Sequence, residues 1–380
     1  MNSKFEIYLD ILFAFILMLG VLGNIINIVV LREKNLANIT TFKFLLYLSI
    51  VDLMILLICA SDSLAAHRLE FEIRLYSTIT CKIHVFLTYY LTHLSSIILM
   101  VVSIERLYTI HSKKFYCCIL NTTNRFIIFI AVILAIMNSH YLYFFNLNSD
   151  YRVEYNNLNI INCSNYSIDA NQLIEDNTND LDDYLYSNKC YMKDQYKFSI
   201  NKTDHHSGPS DGVQFLICYP IDNPTYSYFL DVIWVWVDSS LYSFIPFVVM
   251  TFSSLLIIIE LVKTSSRLRN KNTNKPVSQN SVKRNKQILQ LLVLTNFFFI
   301  LFSLPYSISN NNIITISYQS LYFIHMLAYT NNSINIIFYY VFSAKYRSTF
   351  LNMLKTFKSL FVKNKTNNKI QLNQRKTMNV

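Results

Sequence analysis

The sequence predicts an all-α membrane protein, a bundle of seven transmembrane helices followed by a short amphipathic helix at the membrane interface. Three observations lead to this prediction. Of the 380 residues, 53% are hydrophobic and only 15% are charged, whereas a soluble domain carries about 25% charged residues. The apolar residues come in runs of the length that a helix needs to cross the hydrocarbon core, about 20 residues. With 4 glycines and 6 prolines, the chain is neither collagen-like nor a Pro/Gly-rich disordered protein.

The apolar runs are separated by charged or polar segments. The stretch between Lys286 and Lys345 holds no charge and is too long for one helix, so we expect the polar segment Ser307–Asn312 to divide it. Basic and apolar residues alternate along Lys345–Lys358, which predicts a helix lying in the membrane interface. The predicted spans are Ile11–Leu31, Phe44–Ser63, Ile83–Ile104, Phe126–Leu147, Leu230–Ile259, Ile288–Tyr306 and Tyr318–Phe342.

The charges orient the bundle. The net charge is +10, and if residues 1–10 lie outside, most of the 33 Lys and Arg residues face the cytoplasm and most of the 23 acidic residues face outward. This distribution satisfies the positive-inside rule. We therefore expect a multi-pass plasma-membrane protein with an extracellular N-terminus at 1–10, the bundle at 11–343 and a cytoplasmic helix and basic tail at 344–380. Beside a membrane, that tail is expected to attract anionic lipid, and no nucleic-acid partner is expected.

One loop is much longer than the others. Residues 148–228 form a polar insertion between the fourth and fifth predicted spans, on the outer side. Loops of this length are usually functional or disordered. It contains three glycosylation sequons, and the asparagines that would carry glycans are Asn162, Asn165 and Asn201.

Several short motifs occur in a fixed order along the predicted spans. They are Gly23-Asn24, Asp52-Leu53, Glu105-Arg106-Leu107, Phe302-Ser303-Leu304-Pro305 and Asn335-Ile336-Ile337-Phe338-Tyr339. Together they resemble the motifs of a rhodopsin-like (class A) G-protein-coupled receptor, and the chain is similar to the divergent invertebrate neuropeptide receptors of the FMRFamide-receptor-like group. The resemblance covers roughly Gly20–Phe357.

The chain departs from that family at several switch positions. Ser303 stands where the family has its toggle Trp, Ile336 replaces the Pro of the seventh-span motif, and Ser254 occupies the place of a common Tyr. The segment Lys283–Lys286 holds none of the acidic residues that many members carry at the base of the sixth span. The altered positions put the family's usual switch mechanism in question.

The resemblance implies roles for polar residues inside the bundle. Since polar groups in a membrane core are expensive, they are functional hypotheses by default. One set of these residues supplies carboxylate, hydroxyl and amide groups that would bind an allosteric sodium ion. The alternative for this set is a hydrogen-bond network without an ion. The residues implied for coupling to a G protein are Glu105, Arg106, Pro305, Asn335 and Tyr339, and those implied for sodium are Asp52, Ser95, Asn331 and Asn335, with Asn24 nearby.

The resemblance also implies a ligand pocket and a disulfide. A Cys81–Cys218 bridge would tether the long outer loop to the third span. Thr88 stands where amine receptors have an Asp, and Tyr329 where opsins have the retinal Lys, so neither a monoamine nor retinal is expected. The acidic and tyrosine-rich set instead suits a basic or amidated peptide, and its members are Asp62, Thr88, Tyr89, Thr92, Asp238, Tyr242, Tyr306, Asn310, His325 and Tyr329.

These features predict a cell-surface receptor that binds an extracellular ligand, a neuropeptide, and activates a heterotrimeric G protein. Walker loops, zinc-ligand spacings and nucleophile elbows are absent from the sequence, so we expect neither an enzyme nor a cofactor beyond the sodium ion. A seven-span transporter or channel is one alternative, although such proteins often show repeats and Gly/Pro-broken helices. A degenerate receptor that no longer signals is the other.

Overall fold

Long helices dominate the computed structural model of the chain. The structure describes residues 3–69, 71–111, 123–153, 161–162, 167–168, 191–192, 199–200, 213–220, 223–270, 279–310 and 318–359. Within these residues, five helices are long and apolar enough to cross a membrane: Phe5–Leu31, Thr40–Leu69, Thr78–Thr109, Thr123–Phe144 and Pro224–Glu260.

Two further helices complete the bundle. The sixth span is the helix Gln279–Asn310, which contains Pro305. The seventh is the helix Tyr318–Ser333 followed, after a break at Ile334, by Asn335–Phe342. The predicted seven-helix membrane bundle is therefore confirmed. The sixth helix continues through the first polar residues of the segment that was expected to divide the two spans, and Ser307 and Ser309 are buried in the bundle.

The helices have the following bounds. The first span is Ser3–Leu31 and a short helix follows at Lys34–Ala37; the second is Thr40–Ile55, Leu56–Ala60 and Ser61–Leu69; a 3-10 turn spans Ile73–Leu75; and the third is Thr78–His111. The fourth is Thr123–Asn138 and His140–Phe144, and the fifth is Pro224–Tyr228, Phe229–Trp234, Val235–Ser239, Ser240–Phe244 and Ile245–Asn270.

Three of these pieces are π-helical, namely Leu56–Ala60 in the second span and Phe229–Trp234 and Ser240–Phe244 in the fifth. A π-helical turn holds more residues than an α-helical turn and is frequent at functional sites. Each one changes which side chains face the interior of the bundle. Asp238 lies between the two π-helical pieces of the fifth span.

Short strands lie in the outer loop, which the sequence analysis did not predict. Leu147–Val153 pairs antiparallel with Val213–Cys218, and Ser199–Ile200 pairs with the other edge of Val213–Cys218. A second small sheet joins Ile161–Asn162 to Ser167–Ile168 and Tyr191–Met192. The first sheet brings Cys218 back to the outer end of the bundle.

The first and seventh spans pack closely through a glycine. A Cβ atom on Gly20 would lie 2.4 Å from Oγ of Ser333 and 2.6 Å from Cδ1 of Leu56, so no larger residue fits without displacing a neighbour. At the outer end, the Tyr322 hydroxyl donates a hydrogen bond to Oδ1 of Asp10 over 3.0 Å. Nδ1 of His67 lies 2.9 Å from the same oxygen, so these contacts join the first, second and seventh spans.

A helix over residues 344–359 follows the seventh span, as predicted. Tyr346 is fully buried, and its hydroxyl donates to Oδ1 of Asn27 on the first span over 2.6 Å. Leu351, Leu354 and Phe357 are 41–56% exposed and form the apolar side that an interfacial helix presents to lipid. The buried tyrosine thus fixes one side of this helix to the bundle.

Candidate functional site

A cavity of about 280 Å³, called the outer cavity, lies at the end of the bundle that carries Cys218, which the charge pattern predicts to face outward. All the residues predicted for the ligand pocket line it except Asn310, whose side chain lies outside the part that the structure describes. The predicted residues that line it are Asp62, Thr88, Tyr89, Thr92, Asp238, Tyr242, Tyr306, His325 and Tyr329. The sequence analysis missed other lining residues, among them Cys59, Glu72, Arg74, His84 and Asn332.

One end of the cavity is formed by paired charges. Oδ1 of Asp62 accepts a hydrogen bond from the Ile73 N–H over 2.8 Å, and Oδ2 lies 3.3 Å from Nε2 of His84. Oε2 of Glu72 accepts a hydrogen bond from Nε of Arg74 over 2.6 Å. The outer segment between the second and third spans thus adds a guanidinium and a second carboxylate to this end. We call it the polar end.

The other end is aromatic. The rings of Tyr242 and Tyr306 meet edge to face with their centroids 5.5 Å apart, and Tyr306 lies 5.4 Å from the His325 ring. Asp238 lines the cavity here and is only 3% exposed. Tyr89, Tyr242 and Tyr306 line the same cavity. We call this the aromatic end.

A buried histidine stands behind Asp238. His93, on the third span, is fully buried, and its Nε2 lies 2.9 Å from Oδ1 of Asp238. Its Nδ1 lies 3.2 Å from Nδ2 of Asn138 on the fourth span. The sequence analysis assigned no role to His93 or Asn138. The sequence did contain a signal for His93, because an ionisable residue within an apolar span is a functional hypothesis by default.

The Cys81–Cys218 disulfide implied by the resemblance is present, with an S–S distance of 2.03 Å. It ties the strand Val213–Cys218 to the start of the third span, and Cys218 itself lines the outer cavity. Among the described cysteines, Cys59 is free and buried. Of the predicted glycosylation sites, Asn165 and Asn201 lie outside the described residues, and Asn162 lies in the strand Ile161–Asn162, its side chain outside the described part.

A hydrogen-bond network surrounds Asp52 below the cavity. Oδ1 of Asp52 accepts from the Ser95 hydroxyl and from Nδ2 of Asn332, each over 2.7 Å, and Oδ2 accepts from Nδ2 of Asn335 over 2.6 Å. Asn24 donates to the backbone oxygen of Asn332 over 2.9 Å. The described donors to Asp52 are all neutral groups.

The structure adds a residue to this set. Asn332, which the sequence analysis did not name, donates to Asp52. The two asparagines Asn331 and Asn335 would share one face of a continuous helix. However, the seventh helix breaks at Ile334, between Ser333 and Asn335, and on either side of this break Asn332 and Asn335 both reach the carboxylate.

The network fits a hard cation by its donor chemistry. Such ions take oxygen ligands, and Asp52 and Ser95 supply a carboxylate and a hydroxyl. Oδ1 of Asn24 is buried and accepts no hydrogen bond from the residues that the structure describes. An acceptor left without a donor in this way is suited to a cation.

At the cytoplasmic end, Arg106 lies against Glu105. Nε of Arg106 is 3.7 Å from Oε2 of Glu105. That carboxylate is only 2% exposed, and it also accepts from the hydroxyls of Thr41 over 2.5 Å and Thr109 over 3.1 Å. A small cavity of about 20 Å³ beside them is lined by Arg106, Asn335 and Tyr339, among others. The guanidinium therefore lies beside a buried carboxylate at the end of the bundle that the charge pattern predicts to face the cytoplasm.

The positions at which the sequence departs from the receptor motifs, Ser303 and Ser254, lie on the sixth and fifth spans. Ser303, in the place of the toggle Trp that the resemblance predicts, is fully buried. Pro305 lies in the helix just above. Nδ2 of Asn296 donates to Oγ of Ser254 over 2.6 Å and to the Met250 carbonyl over 2.9 Å. These contacts connect the fifth and sixth spans where the usual aromatic residues are missing.

Comparison with known proteins agrees with this architecture. The helices define a multi-pass membrane protein, and the two cavities described above lie toward opposite ends of its bundle. Residues 216–357 match the model of the serpentine-type seven-transmembrane G-protein-coupled chemoreceptor family Srw. A stretch of 112 residues is 30% identical to galanin receptor type 2 from Homo sapiens, and this match covers 28% of the chain and 28% of that receptor's length. Both matches support a G-protein-coupled receptor.

Proposed function

We propose that the chain is a cell-surface receptor that binds an extracellular ligand in the outer cavity and activates a heterotrimeric G protein through Arg106. One observation carries this proposal: a chain of contacts connects the two cavities. Asn332 lines the outer cavity and donates to Asp52, and Asp52 accepts from Asn335. Asn335 in turn lines the small cytoplasmic cavity together with Arg106.

Through this chain of contacts, ligand binding in the outer cavity changes the arrangement of the cytoplasmic end. A ligand that binds one arrangement of the outer cavity more tightly shifts the bundle toward that arrangement by its differential affinity. A displacement of Asn332 would change the hydrogen bonds of Asp52, and with them the position of Asn335. Arg106 would then leave Glu105 and become available to a G protein. The coupling residues of this proposal are Glu105, Arg106, Pro305, Asn335 and Tyr339.

The ligand we propose is a neuropeptide with a basic or amidated end. The carboxylates Asp62, Glu72 and Asp238 line the cavity with one guanidinium, that of Arg74, and tyrosine rings cover the aromatic end. Small-molecule pockets usually measure about 300–1,000 Å³, so a cavity of about 280 Å³ admits the terminal residues of a peptide rather than a whole one. The acidic surface predicted outside would attract a cationic peptide over a longer range.

The disulfide supports the proposed orientation. Disulfides persist in oxidising compartments such as the cell exterior. Cys81 and Cys218 are bonded at the end of the bundle that carries the larger cavity, which supports a plasma-membrane protein whose N-terminus and ligand cavity face outward and whose Arg106 faces the cytoplasm.

The proposal is tested by expressing the full chain in cultured cells with a G-protein dissociation reporter. Surface labelling is measured first, and the cells are then exposed to a library of amidated and basic peptides. We expect at least one peptide to dissociate a G protein in cells that express the chain and not in cells that express Arg106→Ala at the same surface level. Ion current or solute uptake without G-protein dissociation would instead support a channel or a transporter.

A further inference from the structure

We propose that Asp238 is the carboxylate that binds the cationic group of the ligand, and that Asn138 and His93 keep its negative charge available by holding the imidazole as a neutral hydrogen-bond donor. This inference rests on the proposed receptor function. It goes further because it assigns the charge selectivity of the cavity to three residues, one each on the third, fourth and fifth spans. Of these three residues, Asp238 lines the cavity.

The orientation of the Asn138 amide is the first step. Its Nδ2 lies 2.8 Å from the backbone oxygen of Leu134 and 3.2 Å from Nδ1 of His93. Nitrogen and oxygen of an amide are assigned from the hydrogen-bond network around them. Turning the group over would direct its oxygen at the Leu134 oxygen, and two acceptors would face each other. The amide nitrogen therefore belongs at this position, and the Leu134 carbonyl fixes it there.

The protons on the imidazole follow from that orientation. Because the Asn138 nitrogen donates, Nδ1 of His93 is the acceptor and carries no proton. A neutral imidazole has one donor and one acceptor nitrogen, so Nε2 carries the proton and donates it to Oδ1 of Asp238, 2.9 Å away. An imidazolium would need an acceptor at Nδ1, where Asn138 presents a donor. The hydrogen bond from His93 to Asp238 therefore comes from a neutral group.

The other carboxylates of the cavity have a different environment. Glu72 is bonded to the guanidinium of Arg74 over 2.6 Å, so an opposite fixed charge already balances it. Asp62 lies at the same end of the cavity, and the charge of Arg74 acts on its partner His84. A cationic ligand group would meet the guanidinium there. Asp238 lines the cavity at the aromatic end, and its hydrogen bond from His93 comes from a neutral group.

The aromatic rings beside Asp238 favour the same ligand group. Tyr89, Tyr242 and Tyr306 line the cavity together with Asp238. An ammonium or guanidinium over a tyrosine face is stabilised by the ring quadrupole, and more so when both are removed from water. A carboxylate with tyrosines around it is a site for an organic cation. The guanidinium of Arg74 at the polar end then suits an acceptor group on the same ligand.

The experiment uses the purified full chain in lipid nanodiscs and two probes, arginyl-phenylalanine amide and citrullyl-phenylalanine amide. The probes have nearly the same shape and differ in one charge. We expect the arginyl probe to raise the melting temperature of the wild type more than the citrullyl probe. Asp238→Asn should weaken the arginyl probe about tenfold, because a hydrogen bond to a charged group is lost. Asp231→Asn is the matched control and should keep the preference, because Asp231 is an exposed carboxylate on the same span that bonds to the Tyr219 hydroxyl and is not among the cavity-lining residues.

A second pair of variants tests the role of His93. In His93→Gln a neutral donor replaces the imidazole, and the preference for the arginyl probe should remain. In His93→Lys a fixed cation faces Asp238, and the preference should disappear. Nitrogen-15 NMR of the histidine-labelled wild type measures the protonation of the two ring nitrogens of His93 directly. The His93 signals are identified by their loss in His93→Gln, so this measurement does not depend on whether the Lys variant folds. We expect an unprotonated Nδ1 and a protonated Nε2.

The outcomes separate this inference from the receptor function. Equal stabilisation by both probes, no stabilisation by either, a preference that survives Asp238→Asn, or an imidazolium signal at His93 would each overturn the assignment of Asp238. None of these results depends on a G protein. The receptor function is decided separately by the peptide-library response and its loss in Arg106→Ala.

Discussion

Asn296 on the sixth span donates a hydrogen bond to the hydroxyl of Ser254 on the fifth span over 2.6 Å. The same amide nitrogen donates to the Met250 carbonyl over 2.9 Å. The resemblance to class A receptors predicts an acidic residue at the base of the sixth span, which this sequence lacks, and a Tyr where Ser254 stands. The contact between Asn296 and the fifth span lies at Ser254 itself and joins the two helices in this arrangement.

Replacing Asn296 by Leu is expected to raise signalling in the absence of ligand. Each lost hydrogen bond is worth about 1 kcal/mol, or about fivefold in the ratio of open to closed receptors, so losing both bonds would raise that ratio up to about thirtyfold. Ser254→Ala keeps the bond to Met250 and should give a smaller increase. The measurement is G-protein dissociation without peptide, normalised to surface expression. Unchanged basal signalling in Asn296→Leu would show that this contact does not hold the closed arrangement.

Arg106→Ala is expected to abolish G-protein activation, a loss of at least about tenfold, without reducing surface expression. The side chain contacts Glu105 at the membrane edge, so its loss leaves the core of the bundle intact. Arg125, an exposed residue at the start of the fourth span, provides the control, and Arg125→Ala should keep most of the response. Full peptide-driven activation by Arg106→Ala would contradict the proposed mechanism.

The Cys81–Cys218 bridge is expected in the protein isolated from cells. Non-reducing peptide mapping after alkylation under denaturing conditions should find these two cysteines linked and Cys59 alkylated, since Cys59 is buried and free. Disulfides stabilise by about 2–4 kcal/mol. Replacing both cysteines with Ser should therefore lower the melting temperature, and should also weaken peptide binding because Cys218 lines the cavity. Alkylation of Cys81 without reduction would refute the bridge.

Much of the fold could be predicted from the sequence because the membrane imposes it. A span must be apolar along its length, so the runs of residues fixed the approximate position of each helix. The breaks inside helices were harder to predict. The seventh helix is interrupted at Ile334, a position without Gly or Pro. Residues three and four apart both share a helix face, so the sequence could not decide between Asn331 and Asn332 as a partner of Asp52, and the structure shows the bond from Asn332.

The candidate site could be predicted only where a residue's role is set by its own span. Asp52 is an isolated carboxylate in an apolar run, so its importance follows from local sequence alone. The contact between His93 and Asp238 joins residues 145 positions apart, and Asp238 lies between two π-helical segments. A regular helical period does not hold across those segments. The contact between Asp238 and His93 could therefore be identified only from the three-dimensional structure.

The role of Asp52 leads to the last prediction. A carboxylate in a low-dielectric interior is costly unless it is hydrogen-bonded or paired with a cation. Ser95, Asn332 and Asn335 supply hydrogen bonds, and each of these donors is neutral. A sodium ion held by Asp52 and Ser95, with the oxygen of Asn24, would supply the opposite charge. Because Asn335 contacts both Asp52 and the cytoplasmic cavity, an ion that fixes this network should favour the closed bundle.

We therefore expect sodium to lower the affinity of an activating peptide, since the ion and the peptide stabilise different arrangements. Couplings of this kind change affinity about fivefold or more. The measurement is peptide affinity in sodium and in N-methylglucamine, for the wild type and for Asp52→Asn. The variant keeps an oxygen acceptor but loses the charge, so its affinity should not depend on sodium. Asp62→Asn serves as the control, because Asp62 lines the outer cavity and should leave the sodium effect in place. If wild-type affinity is the same in both salts, Asp52 acts only as a hydrogen-bond acceptor that joins the second, third and seventh spans.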